Sequence, residues 1–284
     1  IEATGKVRTP LDEDGMRTAV LRLIDEGCEA LVIHFLHAFK NPAHEVRARD
    51  IALSLWPNEF VTTGHSLLSE AREYERGVTA AVNASVQPIL QRYVERLRHQ
   101  LQADGYLRDY LMMNGNGGTV SSELVTREAA KTVMSGPASG VIAAARTAAR
   151  AGYRNLITYD MGGTSSDVAL IRDNRPLISN EIEVEYAMPI HVPMVDVHTI
   201  GAGGGSLASV NRAGLLEVGP QSAGSMPGPI CYMRGGTQPT ITDANLLLGR
   251  LNPEKLLAVD KPVDLDAVRA IFERTLGAPL SVSA

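Results

Sequence analysis

Apolar residues recur at helical spacing in the first part of the chain and stand in short continuous runs further on. The first pattern predicts a helix that is capped by Asp12 or Asp14 and ended by Gly27, because a carboxylate satisfies the free amides of a first turn and glycine tolerates the left-handed conformation after the last turn. Three elements follow it: a buried strand at 30–35, an amphipathic helix from after Pro42 to about Leu55, and a short strand at 60–63. This alternation of helices and strands predicts an α/β protein.

The middle of the chain has a long helical pattern, and the part after it is rich in strands. Proline lacks the amide that a helix interior needs, so Pro88 is expected to divide the helical pattern at 66–101 into two helices. Further helices are predicted at 122–132 and 138–151, and further strands at 156–159, 168–171 and 190–197. We place a lobe boundary near Met113, so that 1–113 holds the remainder of a first lobe with connecting helices and 114–284 holds a second lobe with glycine loops.

The composition is that of an ordinary globular enzyme domain, with 284 residues of which 44% are hydrophobic and 21% charged. A net charge of -5 without basic runs argues against a nucleic-acid partner. No apolar run has the length of a membrane span. Cys28 and Cys231 stand far apart, which predicts reduced thiols and a cytoplasmic location. The chain opens on Ile1 without a leader, so we expect a piece of a longer protein.

The segment NLITYDMGGTSSDVALI at 155–171 has the pattern of a strand, a glycine turn and a second strand. Glycine lets the backbone approach a ligand closely, so successive amides are predicted to form a nest for phosphate. The amides concerned are those of Gly162, Gly163, Thr164 and Ser165. The carboxylates of Asp160 and Asp167 beside a phosphate predict Mg²⁺, with Asp160 as its ligand, because a cation relieves the repulsion. The alternative is a tight hairpin in which Asp160 only caps the turn.

A second glycine loop, VDVHTIGAGGGSLA at 195–208, is predicted to lie against a nucleoside and to continue from Ser206 into a helix. The glycines concerned are Gly201, Gly203, Gly204 and Gly205. The loop is not the dinucleotide fingerprint, because Ser206 replaces the third glycine, and the chain has no Walker A motif either. A third segment, SGPASGV at 135–141, either offers helix N-terminal amides to an anion or starts a helix with Pro137 in its first turn.

Two groups of titratable residues have competing interpretations. One helical stretch contains Glu70, Arg72, Glu73, Glu75 and Arg76. Carboxylates and guanidinium groups three or four positions apart pair on a solvated helix face, whereas Glu73 or Arg76 in a cleft would contact phosphate or substrate. His191, Asp196 and His198 form a candidate metal set. The two histidines are an odd number of positions apart in an extended segment, however, which places them on opposite faces and favours structural roles.

Seven segments of the chain resemble, in family order, the hydantoinase A / 5-oxoprolinase family. They are FLHAFKNPAHE at 35–45, REYER at 72–76, SGPASG at 135–140, DMGGTSSDV at 160–168, HTIGAGGGS at 198–206, VGPQSAGSMPGPICYMRGG at 218–236 and ITDANLLLGRL at 241–251. The resemblance implies the two-lobed fold of actin, Hsp70 and sugar kinases, and an ATP-dependent activity on a cyclic amide such as hydantoin or 5-oxoproline. It also implies a hetero-oligomer with a hydantoinase B-type partner, and catalytic roles for Asp160, Glu73 and Asp243.

The sequence departs from the family pattern at one point. Members also carry a first phosphate hairpin, acid-x-Gly-Gly-Thr, which does not occur before Asp160 here, so the chain is expected to be either a fragment or a degenerate copy. The expected chemistry passes the γ-phosphoryl group of ATP to the lactam oxygen and lets water open the ring, with amides and Mg²⁺ positioning the phosphates. The alternatives are an ATP-dependent ketone carboxylase subunit and a non-catalytic scaffold.

Overall fold

The computed structural model describes residues 1–183, 187–257, 259 and 262–283, and it shows a mixed α/β protein, as predicted. The helices are α1 Glu13–Asp25, α2 Ala43–Leu53, α3 Gly64–Leu67, α4 Glu73–Ala103, α5 Ser122–Arg127, α6 Ser135–Arg150, α7 Ile241–Leu247, α8 Leu265–Phe272 and α9 Ala278–Leu280. Short 3₁₀ turns lie at Ala129–Thr132 and Ile230–Tyr232, and a π turn at Glu273–Gly277. Within these described ranges, no helix has both the length and the apolar character to cross a membrane.

Short strands alternate with these helices. They are β1 Leu31–Ile33, β2 Val61–Thr63, β3 Leu111–Met113, β4 Thr119–Ser121, β5 Leu156–Met161, β6 Ser166–Arg172, β7 Arg175–Pro176, β8 Ile178–Ser179, β9 Ile182–Glu183, β10 Pro189–Ile190, β11 Met194–Val195, β12 Val197–Ile200, β13 Ser206–Val210 and β14 Leu216–Ser222. β1 and β2 pair in parallel, with Leu31 opposite Val61. β12, β6 and β5 form an antiparallel sheet in that order, and β13 pairs with β14.

Contacts along the backbone divide the chain into two compact units. The first is Ile1–Ala143 with Pro176–Asp196, and the second is Ala144–Arg175 with Val197–Ala284. The lobe boundary predicted near Met113 therefore lies inside the first unit. Buried hydrogen bonds keep α5 and the turn after it in this unit, because the side-chain amide of Asn83 on α4 donates to Arg127 O at 3.2 Å and accepts from Ala130 N at 3.0 Å.

In the first unit, α1 and α2 pack against the parallel strands. The core there consists of Val20, Leu31, Ile33, Ala48, Ala52, Trp56 and Val61. The predicted division at Pro88 is wrong, since α4 runs without interruption through 31 residues with Pro88 buried inside it. A proline inside a helix costs about 3 kcal/mol, which the packing of a helix with many buried positions offsets.

In the second unit, the sheet that contains β12, β6 and β5, and the β13–β14 hairpin, accompany a small helical core. That core consists of Ile230, Cys231, Leu246, Val263 and Val268. The helix predicted from Ser206 is wrong, because Ser206 begins strand β13, which pairs with β14, and Ala208 N donates to Pro239 O at 2.8 Å. The single strand predicted at 190–197 is also wrong. It is three short strands, because Pro193 lacks the amide that a continuous ladder requires.

Candidate functional site

The hairpin of β5 and β6 presents the glycine turn that the sequence predicted. Its last ladder pair is Met161 with Ser166, and Gly162 N closes the turn by donating to Ser165 O at 2.8 Å. The amide of Gly162 is thereby used within the protein. In the described part of the chain, the amides of Gly163, Thr164 and Ser165 have no protein acceptor. The nest available to an anion is therefore one amide smaller than the sequence analysis predicted.

The second glycine loop lies directly on this turn. Gly204 N donates to Gly162 O at 2.9 Å, and Gly205 N donates to Gly163 O at 2.6 Å. At Gly203 a side chain has no room, because an added Cβ would lie 2.6 Å from Ser165 N. The structure thus brings together the two glycine loops that are far apart in sequence, and it uses the amides of Gly204 and Gly205 to hold the phosphate-loop carbonyls.

A cavity of about 530 Å³ opens beside the joined loops and lies wholly in the second unit. Five predicted residues line it: Gly162, Gly163, Thr164, Gly204 and Gly205. The remaining wall comes from residues that the sequence analysis did not single out: Met161, Gly224, Ser225, Pro229, Tyr232, Thr242, Asn245 and Leu251. Thr242 fixes this wall to the loop, because its amide and its hydroxyl both donate to Gly204 O at 2.8 Å. Ser165 and Gly201 do not line the cavity.

Asp243, predicted to be catalytic, is a buried cap for α7. Its Oδ2 accepts from the amide of Thr240 at 3.1 Å and from the Thr240 hydroxyl at 2.8 Å, and its carboxylate also accepts from Ile230 N at 3.1 Å and Cys231 N at 2.7 Å. Both oxygens are occupied and the side chain does not reach the cavity. This geometry gives Asp243 a structural role as the capping-box partner of Thr240 at the start of α7, and Thr-x-x-Asp at 240–243 before an apolar run is the sequence signal of such a helix start.

The thiol of Cys231 shares this buried environment. Burial raises the pKa of Cys231 well above its ordinary value, and the nearby Asp243 carboxylate raises it further. The thiol therefore stays protonated and is not a nucleophile.

Asp160 and Asp167 stand directly opposite each other in the β5–β6 ladder. Thr199 on β12 donates from Oγ1 to Asp167 Oδ1 at 2.7 Å. Side chains alternate along a strand, so Asp160 is on the face opposite to Met161, and neither carboxylate lines the cavity. Like charges that face each other across strands repel, and two carboxylates with water ligands suit Mg²⁺.

The predicted metal set of His191, Asp196 and His198 does not form a cluster. Across the described residues, no three or more His, Cys, Asp or Glu side chains are grouped so that they could hold a metal ion together.

Glu73 lies in the first unit, at the start of α4, and is part of a buried network. Its carboxylate accepts from His37 N at 2.8 Å and from the Arg76 guanidinium. Arg76 is fully buried, donates to Glu70 O at 2.7 Å and lies over the Phe39 ring. The solvated-face interpretation is therefore wrong for Arg76. It is correct for the exposed pair of Arg72 with Glu75, at 3.3 Å.

Sequence reasoning missed the buried carboxylate of Glu45 in the same network. One oxygen accepts from Phe35 N at 2.8 Å, and the other accepts from His65 N at 2.9 Å with His65 Nδ1 at 2.7 Å. Glu45 thereby ties together the segments that follow β1 and β2. His191 Nδ1 shares a hydrogen bond with Glu70 Oε2 at 2.8 Å, and Glu181 Oε2 lies 3.1 Å from Nε2 without the geometry of a hydrogen bond. The available signal was the segment at 35–45, which ends on Glu45 in the first turn of α2.

These features define a mixed α/β protein with a glycine hairpin whose turn has free amides and lies beside a cavity of about 530 Å³. The chain belongs to the hydantoinase/oxoprolinase family. The model of that family matches residues 76–284, and the model of the hydantoinase/oxoprolinase N-terminal region matches residues 1–56.

Named relatives share most of this chain. The acetophenone carboxylase gamma subunit of Aromatoleum aromaticum is 37% identical over 99% of the chain and 39% of its own length. The caprolactamase subunit alpha of Pseudomonas jessenii is 38% identical over 98% of the chain and 40% of its own length. A crystal structure of the ATP-dependent caprolactamase from Pseudomonas jessenii superposes with a TM-score of 0.80 at 35% identity, covering 100% of this chain and 41% of that one. The chain thus spans about two fifths of the length of these relatives.

Proposed function

We propose that the second unit binds ATP, with phosphate oxygens at the free amides of the β5–β6 turn and the nucleoside in the adjoining cavity. The observation that carries this proposal is the set of amides at Gly163, Thr164 and Ser165, which have no acceptor in the described protein. Backbone amides in a turn present a fixed positive field to an anion without reorganising. The bonds from Gly204 and Gly205 to the turn carbonyls hold these amides in place.

The wall contributed by Tyr232 and Asn245 suits a nucleobase. The Asn245 Oδ1 accepts from the Arg250 guanidinium at 3.2 Å, which leaves its NH₂ group to donate to a ring nitrogen. Tyr232 offers an aromatic surface to a planar base, and the Arg234 guanidinium lies 5.9 Å from its ring centroid. Neither residue belongs to a glycine loop, so the base would be recognised by segments remote from the phosphate turn in sequence.

Asp160 and Asp167 are the proposed Mg²⁺ ligands. The cross-strand pair places two like charges opposite each other, and Thr199 orients one of them. A bound Mg²⁺ would relieve the repulsion between the two carboxylates. The protein's own contribution is to hold both carboxylates on one face of a rigid ladder, so that removal of either leaves the other as a single, weaker ligand.

The reaction proposed for the whole enzyme is ring opening of a cyclic amide driven by ATP. The γ-phosphoryl group passes to the lactam oxygen with release of ADP, a first water adds to the activated carbon, and the C–N bond breaks to leave an amine and an acyl phosphate. A second water hydrolyses the acyl phosphate, which releases phosphate and completes the carboxylate of the amino acid. Amide resonance makes a lactam a poor electrophile, which phosphorylation of its oxygen corrects. Family membership and the likeness to a caprolactamase support this assignment.

Further proposals concern the setting of the enzyme. The family suggests the actin, Hsp70 and sugar-kinase type of fold. The relatives are named as subunits, so we also propose a partner of the hydantoinase B type within a hetero-oligomer. Cys28 and Cys231 are both free, in keeping with a cytoplasmic protein.

A second candidate function is ATP-dependent carboxylation of a ketone. The likeness to the acetophenone carboxylase gamma subunit, at 37% identity, favours it. Both reactions use the same phosphate site, because each activates an oxygen by phosphorylation. The substrate, and not the nucleotide pocket, distinguishes them.

Two measurements test these functions. Calorimetric titration of the chain with ATP, ADP and adenosine, with and without Mg²⁺, is expected to show affinity that rises with the number of phosphates. Equal or absent binding of all three would contradict the phosphate site and leave the scaffold alternative. In the longer protein with its partner, phosphate release stimulated by caprolactam, hydantoin or 5-oxoproline supports the amide hydrolase, whereas a requirement for ketone plus bicarbonate supports the carboxylase.

A further inference from the structure

A second cavity, of about 470 Å³, lies in the first unit among α2, β2, α4 and α5. We call it the Gln87 cavity. Its floor includes Thr62 and Gln87, which are only 5% and 7% exposed. Its volume is within the range of small-molecule sites. None of the residues around the phosphate turn contributes to it.

A chain of buried hydrogen bonds determines which polar group faces this cavity. Both polar atoms of the Asn83 side chain are engaged, and its NH₂ donates to Thr62 Oγ1 at 3.2 Å. Thr62 therefore directs its own hydroxyl hydrogen to Gln87 Oε1, at 3.4 Å. With that oxygen accepting, the Gln87 NH₂ group is left, and within the described ranges it has no protein acceptor. The floor of the cavity therefore presents a free donor to a ligand oxygen.

The rim carries charges of both signs. Arg127 pairs with Glu123 at 3.1 Å, and Glu128 pairs with Lys131 at 2.8 Å, so these charges are already compensated. Arg49 and Glu59 also line the cavity.

No ion pair in the described part of the chain includes Arg49 or Glu59, and the two do not pair with each other. The aliphatic side chains of Leu53, Leu67 and Leu124 complete the wall. The cavity therefore offers one uncompensated cation, one uncompensated anion and an apolar surface.

We propose that the Gln87 cavity binds a small aliphatic zwitterion of the amino-acid class. Its carboxylate pairs with Arg49, its ammonium group pairs with Glu59, and Gln87 donates to an oxygen of the ligand. Hydrolysis of a lactam produces a compound of this class, so the source of the ligand, though not the site itself, rests on the proposed function. Occupation by a product would make this a site of product retention or feedback in the first unit.

The test is calorimetric titration of the chain with 6-aminohexanoate, compared with hexanoate and hexylamine, which each lack one of the two charges. We expect saturable binding of 6-aminohexanoate with a Kd on the order of 1 mM or below, and binding of either analogue that is weaker by about tenfold or more. Failure of 6-aminohexanoate to bind, or equal affinity for hexanoate, would overturn the proposal.

Variants locate the binding within the cavity. Arg49→Gln and Glu59→Gln are each expected to weaken 6-aminohexanoate binding about two- to fivefold, because each removes one solvent-exposed ion pair. Arg17→Gln removes an exposed arginine of α1 and serves as the matched control with unchanged affinity. Both cavity residues are exposed, so folding is retained, which circular dichroism checks. Unchanged binding in both variants would also overturn the proposal.

Titration of the same samples with MgATP separates this inference from the proposed function. Arg49→Gln and Glu59→Gln are expected to leave nucleotide affinity unchanged. If the wild-type chain binds 6-aminohexanoate but does not bind MgATP, only the proposed nucleotide site is contradicted. The reverse result would contradict the Gln87 cavity alone.

Discussion

Replacement of Gly203 by alanine tests whether close contact between the two glycine loops holds the phosphate turn in place. An added Cβ would lie 2.6 Å from Ser165 N and Thr164 C, and 2.7 Å from Thr164 N. These are backbone atoms, so no side-chain rotation relieves the overlap, and the turn must move away from the loop. The displacement strains the bonds from Gly204 to Gly162, at 2.9 Å, and from Gly205 to Gly163, at 2.6 Å.

The magnitude follows from these two effects. Overpacking costs about 1–3 kcal/mol, and each of the two weakened hydrogen bonds costs about 1 kcal/mol, so Gly203→Ala should lose about 3–5 kcal/mol of stability. For a unit of this size that lowers Tm by roughly 10 °C. Displaced amides no longer converge on one anion, so nucleotide affinity should fall by about tenfold or more.

Scanning calorimetry and titration with MgATP measure the two effects. Gly136→Ala is the control for an added methyl group, because nothing lies within 4 Å of a Cβ there; it should leave MgATP affinity unchanged and stability unchanged or raised by up to about 1 kcal/mol, since alanine favours a helix. A Gly203→Ala protein that melts and binds MgATP like the wild type would refute the assignment of a rigid, loop-supported phosphate turn.

Three further predictions concern other sites. Asp167→Asn should raise stability in the absence of Mg²⁺ by about 0.2–1 kcal/mol, because it removes the repulsion with Asp160, and it should reduce the additional stability that Mg²⁺ provides. Thermal melts with and without Mg²⁺ measure both effects, and an unchanged response to Mg²⁺ would count against the metal site. Glu45→Gln should lose about 2–4 kcal/mol in denaturant unfolding, because a buried carboxylate that accepts several hydrogen bonds is replaced by a group with one acceptor, and a loss below about 1 kcal/mol would contradict its role. At mildly alkaline pH, iodoacetamide should modify exposed Cys28 and spare Cys231, since burial raises the pKa of Cys231 and lowers its thiolate fraction; peptide mass spectrometry would show equal modification if this is incorrect.

Local signals in the sequence determined the elements whose conformation depends on near neighbours. Asp12 caps α1 by accepting from Gly15 N at 2.9 Å, and Gly27 follows that helix with a φ of +76°. The turn at 162–165 forms where the glycines follow a strand, and Pro137 stands in the first turn of α6. Each of these depends on backbone groups within a few residues, so the residue types alone were sufficient.

Tertiary contacts decided the features that sequence patterns misjudged. Ser206 looks like the start of a helix after glycines, but the available partner is β14, so the segment forms a strand. Asp243 looks catalytic by resemblance, but amides at 230–231 reach its carboxylate and occupy it. Arg76 has the spacing of a surface ion pair, yet it is buried because carbonyls of Phe35 and Glu70 accept from it.

The sequence predicted which types of residue form the candidate site, but it did not predict how they are arranged. Two glycine loops and their neighbouring acids indicate a candidate anion site, because glycine permits the close approach of the backbone to a ligand. Which amides remain free depends on which carbonyls lie within 3 Å after folding, and the wall formed by Tyr232 and Asn245 comes from distant segments. Hydrogen bonds between residues about 40 positions apart, such as Gly162 with Gly204, arise only from the fold, and no local pattern specifies them.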